Sequence, residues 1–224
     1  MSAILSPLLK YERRHAPVKA VNERPMEYSF ALDALVRHRA IKVLDVGPGI
    51  TAWPALLANC GYEVTAIDKI ESYWTGAFFN RHFHVMQDDI TASRFGDGEF
   101  DAITCLSVLE HIVDNQTAMI EMCRLLRPGG VLILTGPYNE TKYIDDAYRM
   151  PDAGYGKDSP YICRVHSRQT VEAWLSDSPY EIADQTWWRV FTGPLWTQGE
   201  RLHPPVESSR EDSHHLSCIT LVKR

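Results

Sequence analysis

The sequence predicts an α/β fold in which helices cover both faces of a mostly parallel sheet. Three observations carry this. Short apolar runs rich in Val and Ile alternate five times with helix-like segments between residues 41 and 135, and parallel neighbours need such crossovers. The first run, Ile41 to Val46, ends at Gly47-Pro48-Gly49, where a buried strand turns sharply over a ligand. The 224 residues, 45% apolar and 23% charged, have the composition of one ordinary globular core.

Taken in order, Arg24-Pro25 opens a helix with proline in its first turn, running to about Arg39, with Met26, Phe30, Ala34 and Leu35 as its apolar stripe. After the first strand, Pro54 starts a helix on which Leu56, Leu57 and Cys60 face one way, and Gly61 ends it. Tyr62 to Ile67 is a second strand. A helix-like segment around 71–80 precedes a third strand near His82 to Met86, and Phe100 to Leu106 is a fourth. Asp114 caps a helix carrying Met119, Met122, Cys123 and Leu126. Arg127-Pro128-Gly129-Gly130 breaks it, and Val131 to Thr135 follows as a fifth strand. Beyond that, Ser167 caps a helix with Val171, Trp174 and Leu175, and strands are expected over Tyr180 to Phe191 and His214 to Val222.

Composition excludes several classes of function. With a formal charge of −6 and no run of Lys or Arg, the chain lacks the electrostatic footprint of a nucleic-acid binder. No apolar run reaches the length of a membrane span. The first ten residues have no basic residue ahead of a brief apolar patch and contain Pro7, so no secretory signal is expected. Five cysteines, none in a C-x-x-C pair, argue against a disulfide framework or zinc knuckle and fit the cytoplasm; Cys60, Cys105 and Cys218 read as core. Nothing here speaks to oligomeric state.

Gly47, Gly49 and Ala52 satisfy G-x-G-x-x-A, a motif that many unrelated loops share. Asp68, nineteen residues after Gly49 and at the end of the next strand, stands where an acid takes the ribose hydroxyls of a nucleotide. Gly47, Asp68, Asp89, Ser107 and Pro137 all follow strands, and in a parallel sheet those ends form one ligand-binding edge.

Leu44-Asp45-Val46-Gly47-Pro48-Gly49, Ile67-Asp68, Asp88-Asp89-Ile90, Phe100-Asp101-Ala102-Ile103, Ser107 to Ile112 and Leu125 to Gly130, in this order and spacing, resemble a class I S-adenosylmethionine-dependent methyltransferase of small-molecule type. The resemblance implies a Rossmann-like sheet of seven strands whose antiparallel last strand inserts between the fifth and sixth. It implies S-adenosylmethionine as cofactor, with Asp45, Gly47, Pro48 and Gly49 along the methionine end and Asp68 on the ribose. Asp89 and Ile90 would meet the adenine, and the Leu106 carbonyl the cofactor's amino group. Residues 1–40 would form a helical cap on a catalytic domain of 41–224, with loops about 137–166 and 192–213 on the substrate side. Thr51 replaces a third glycine and is able to cap the next helix. No Asn-Pro-Pro-Tyr follows the fourth strand, which disfavours the amino-group methylases that use it.

Methyl transfer from a sulfonium needs alignment and exclusion of water, and no metal is required. A hydroxyl acceptor needs a base, for which His111, just past the fourth strand, is the candidate; a hydrogen bond within the following turn is the alternative role. His166 and His203 read as solvated loop residues. Glu110 reads as a structural acid or as a partner to substrate or metal. Tyr11, Tyr28, Trp74, Tyr138, Tyr155 and Trp196 are candidates for an aromatic wall, and Arg13 and Arg14 for an anionic group. The resulting expectation is methylation of a small-molecule hydroxyl. The alternatives are an NAD-dependent oxidoreductase, a non-catalytic cofactor-binding protein and a protein methyltransferase.

Overall fold

The structure is a computed structural model and describes residues 21–69, 80, 82–176 and 178–224. The helix-like segment expected around 71–80, and Tyr11, Arg13, Arg14 and Trp74, lie outside the described residues, apart from Asn80.

Helix α1 (Arg24–Arg37) opens with proline in its first turn as expected. Its buried face is Glu27, Ala31, Ala34 and Leu35, with Met26 and Phe30 only partly covered. A carboxylate therefore sits on the buried stripe, which the apolar periodicity does not reveal. Strand β1 (Lys42–Val46) is followed by α2 (Trp53–Asn59) and then β2 (Glu63–Asp68). On α2 only Leu57 of the three expected residues is core; the helix buries the face of Trp53 and Leu57, which leaves Leu56 and the C-cap residue Cys60, four apart on a neighbouring face, exposed. Thr51 does not cap this helix: the N-cap is Ala52, without a side-chain hydrogen bond.

Strands β3 (Met86–Gln87) and β4 (Phe100–Leu106) are followed by α3 (Asn115–Leu125), whose N-cap Asp114 accepts from the Thr117 amide at 3.1 Å. Strand β5 (Leu126–Asn139) begins in the Pro-Gly-Gly turn, which enters the sheet through a register shift against β4. Then come β6 (His166–Ser167), α4 (Arg168–Ser176), β7 (Tyr180–Phe191), β8 (Arg201–Ser208) and β9 (Leu216–Lys223). Ser167 Oγ accepts from the Thr170 amide at 3.4 Å, so it caps α4.

The strand order is β3-β2-β1-β4-β5-β9-β7-β8, with β6 on the end of β5. The first five are parallel, and β9 lies antiparallel between β5 and β7. This is the expected Rossmann-like arrangement with nine strands described instead of seven. Of the additional two, β6 has only two residues, and β8 carries Pro204 and Pro205, which argue against a strand in sequence. Proline is tolerated there because β8 is an edge strand pairing only with β7. Part of the loop expected at 192–213 is therefore sheet.

The core has two layers. Leu44, Ile67, Ile103, Leu132 and Leu134 pack with α3 and α4 on one face, while Val43, Ala102, Val131 and Ile133 pack with α1 and α2 on the other. A third cluster, Tyr148, Cys163, Val165, Phe191 and Trp196, joins the 137–166 segment to the end of β7. Burying these strands on both faces explains why they read as near-continuous apolar runs.

Candidate active site

The carboxyl ends of β3, β2, β1, β4 and β5 lie side by side, and backbone hydrogen bonds bind the turns beyond them together. The Gly47 amide donates to Ile67 O at 2.8 Å, and the Asp88 amide to Asp68 O at 3.1 Å. Gly47 and Gly49 have φ of 69° and 53°, which a side chain resists. The Gly49 amide donates to Asp68 Oδ2 at 2.9 Å, and Asn80 Nδ2 donates to the carbonyls of Gly49 and Thr51 at 3.0 and 2.8 Å. The second acid thus holds the first turn.

Asp45 is 1% exposed. Its Oδ1 accepts from Thr104 Oγ at 2.7 Å, and Thr104 in turn accepts from Trp53 Nε1 at 3.3 Å, while Oδ2 has no partner among the described residues. Burial pushes its carboxyl up to about 7, reinforced by the charge of Asp68 and opposed by the Thr104 hydrogen bond. A recess of about 260 Å³ is lined by Asp45, Gly47, Pro48, Thr51, Leu106, Arg24 and Tyr28. Tyr28 stacks on Trp53 at 4.6 Å, outside the expected aromatic wall.

Asp89 lies one strand end further on. Its Oδ1 accepts from the amide and hydroxyl of Thr91, at 2.9 and 2.7 Å, and its Oδ2 pairs with Lys69 at 2.9 Å. Ile90 is buried in the main core. The Leu106 carbonyl accepts from Arg24 Nη1 at 3.2 Å, with one lone pair to spare.

His111 follows in a short 3-10 turn, Leu109–His111. Its Nδ1 is 2.6 Å from the Ile162 carbonyl, a contact across 51 residues and not one within its own turn. A carbonyl only accepts, so Nδ1 carries the proton and Nε2 keeps its lone pair. Nε2 lies 3.9 Å from Glu110 Oε1. Burial lowers the pKa of His111, with the Ile162 bond opposing and the Arg24 charge assisting. Tyr161 meets the ring edge-on at 4.7 Å, with Tyr148 beyond it.

The expected wall assembles only in part. Tyr155 and Trp196 pack about Phe191, with ring centroids 5.9 and 5.2 Å away, whereas Tyr138 belongs to the main core and stacks on His214. His166 is not solvated but 6% exposed, packed edge-on against Trp174; His203 is exposed and bonds the Val21 carbonyl. Among the described residues no group of three or more His, Cys, Asp or Glu is placed to hold a metal ion. No helix among them is long and apolar enough to cross a membrane.

Arg24, Glu27 and Thr104 were given no site role by any motif, and Ser107 only a place on the ligand-binding edge. Glu27, fully buried, receives Arg24 Nη1 on Oε2 at 2.8 Å, and Ser107 Oγ and Thr135 Oγ on Oε1 at 2.5 and 2.7 Å. Ser107 takes φ of 54°, a strained conformation for serine, directly after β4. Only the i, i+3 pairing of Arg24 with Glu27 is visible locally, and that reads as a surface ion pair.

Comparison with known proteins identifies this arrangement. The methyltransferase domain family matches residues 44–134. A protein named ubiquinone biosynthesis O-methyltransferase from Xanthomonas campestris pv. campestris (strain B100) is 31% identical over 214 residues, covering 90% of this chain and 84% of that one. The chain belongs to the class I S-adenosylmethionine-dependent methyltransferases. It is an enzyme whose cofactor is S-adenosylmethionine. The methyltransferase shares its fold with 1,6-didemethyltoxoflavin-N1-methyltransferase of Burkholderia thailandensis, a structure with bound S-adenosylhomocysteine, at a TM-score of 0.59 and 18% identity, covering 99% of this chain and 88% of that one. A methyltransferase of Methanosarcina mazei has a TM-score of 0.55 and 19% identity over 81% and 92% of the two chains. The alternative of a nicotinamide oxidoreductase falls with this membership.

Proposed function

We propose that the enzyme methylates a hydroxyl oxygen of a small molecule, with His111 as the base. The observation that carries this is the Nδ1 contact with the Ile162 carbonyl, which leaves Nε2 available to accept a proton at the strand edge. The O-methyltransferase named above, similar over most of its length, supports oxygen as the acceptor atom. The aromatic cluster of Tyr148, Tyr155 and Tyr161 beside His111 favours a flat, apolar acceptor. The five free cysteines support a reducing compartment such as the cytoplasm.

The residues at the edge fit the cofactor. The unpartnered Asp45 Oδ2 and the second lone pair of Leu106 O suit a charged amino group, and Arg24 suits a carboxylate. The positive-φ turn at Gly47-Pro48-Gly49 lets a ligand approach the backbone, and Asp68 keeps an oxygen for ribose hydroxyls while holding Gly49. Asp89 and Ile90 stand where an adenine would be received, Asp89 through a carboxylate oriented by Thr91 and Lys69. The proposed N-terminal cap is supported by α1, which reaches the ends of β4 and β5 through Glu27. When bound, S-adenosylmethionine supplies an electrophilic methyl group on a sulfonium sulfur. The chain's own contribution is to orient the acceptor, exclude water and take the hydroxyl proton at His111 Nε2.

Incubation of the enzyme with methyl-labelled cofactor and hydroxylated aromatic acceptors tests the reading. Label is expected in a methyl ether, and His111→Gln should suppress its formation. Label on nitrogen or on protein would overturn it.

A further inference from the structure

Glu110 and His166 are buried titratable side chains that proton transfer to His111 leaves unused. Glu110 is 3% exposed, and its Oε2 has no hydrogen-bond partner among the described residues. Neither ring nitrogen of His166 has one. Both residues line one chamber, partly open to solvent, to which Thr135, Tyr138 and Ser217 add polar groups. Buried polar atoms left without protein partners in a space of this kind are ordinarily satisfied by ordered water. The other oxygen of Glu110 is the one 3.9 Å from His111 Nε2. The main chain of Glu110 is held too, its carbonyl accepting from the Arg164 amide at 3.0 Å, two residues from Ile162.

We propose that this chamber holds an ordered water bonded to Glu110 Oε2 and His166, and that Glu110, so held, is a positioning residue for His111. The inference rests on the reading of His111 as the base. In the step it serves, the acceptor O–H bond breaks, its electron pair stays on oxygen, and the proton bonds to the Nε2 lone pair. The ring then carries a positive charge beside Glu110 Oε1.

Burial holds the Glu110 carboxyl up to about 8. From the α1 side, Glu27 and Glu23 add to that effect and Arg24 opposes it. Cys105 on β4 and the loop residues Cys163, Tyr148 and Tyr155 are all pushed up by burial and stay neutral there. His166, driven down to about 3 by burial, is neutral as well. Around His111 itself, Arg24 disfavours the charged ring and Asp146 favours it. Ionisation of Glu110 therefore places a new negative charge beside the imidazole and strengthens it as a base.

The test is the pH profile of kcat for the wild type, Glu110→Gln and His166→Phe, with a crystal structure of the wild type. The wild-type rate should climb a further step near pH 8. Glu110→Gln, which keeps the shape but cannot ionise, should lose that step with KM for S-adenosylmethionine unchanged. His166→Phe, which removes both ring nitrogens, should move the step to higher pH. Water should appear between Glu110 and His166. A purely structural role would change Tm and leave the profiles superimposable, and that result, or a dry chamber, overturns the inference. If His111→Gln is inactive while the Glu110→Gln and wild-type profiles coincide, the base reading stands and this one falls. Full turnover by His111→Gln overturns both.

Discussion

Ser107, held at positive φ where β4 ends, donates its hydroxyl to Glu27 Oε1 at 2.5 Å. That bond joins α1 to the end of β4, on the edge where we propose the cofactor binds. With Thr135 and Arg24 on the same carboxylate, Glu27 is the fastening of α1. Glu27→Ala is expected to cost about 3 kcal/mol in stability, since it leaves two hydroxyls and a guanidinium without their acceptor. Urea denaturation measures this, and a loss under about 1 kcal/mol would show that α1 is held by apolar packing alone.

Asp45 links stability to pH. Burial raises its carboxyl to about 7 in the folded protein, against 3.8 for the free group. The folded state thus retains a proton the unfolded chain has released, and stability falls as pH rises through that window. Above it the penalty is on the order of 4 kcal/mol. Asp45→Asn should raise the Tm of the cofactor-free enzyme at pH 8, give little gain near pH 4, and weaken binding of S-adenosylhomocysteine. Equal Tm changes at both pH values would contradict the assignment.

Asp68 serves the turn and, on our proposal, the ribose. Asp68→Ala should weaken cofactor binding by roughly 2 to 3 kcal/mol, the scale of charge-assisted hydrogen bonds. Calorimetric titration with S-adenosylhomocysteine decides it, and unchanged affinity would show that the ribose is held elsewhere.

Gly47 allows no side chain. An added Cβ would lie 2.5 Å from Val108 Cγ1, at a φ of 69°. Gly47→Ala should cost at least about 1 to 2 kcal/mol from the backbone alone, plus the clash. Val108→Ala in the same chain should recover only the clash. Complete recovery would mean that the left-handed backbone carries no cost.

His111→Gln should lower turnover by roughly 10² to 10⁴ while leaving cofactor affinity nearly intact. Because burial depresses the histidine, the rate of Glu110→Gln, which lacks the step near pH 8, should fall with acid only below 6.5, the ordinary value of the base, as it becomes protonated. An acid limb above 6.5 in that variant would identify a different base.

The strands and the glycine turn were legible because their causes are local. Gly47 and Gly49 are needed for their φ angles, and Asp68 falls at the end of the next strand. Cys60 and Leu56 misled, since the helix turns the face of Trp53 and Leu57 to the sheet, and which of two neighbouring faces is covered is set by the sheet and not by local spacing. Strand β8 was hidden because its prolines are compatible with a strand only at a sheet edge, and edge position depends on what the rest of the chain leaves unpaired.

The sequence by itself determined the parallel sheet, the glycine turn and the family, since periodicity and turn chemistry act over a few residues and the order of the motifs is read along the chain without any contact between them. Tertiary structure alone decided that Glu27 is buried over β4 and β5, that His111 is held by Ile162, and that Glu110 and His166 share a chamber. Those pairs are 80, 51 and 56 residues apart. A charged or polar side chain declares in sequence only that it needs a partner, and the folded chain supplies which one.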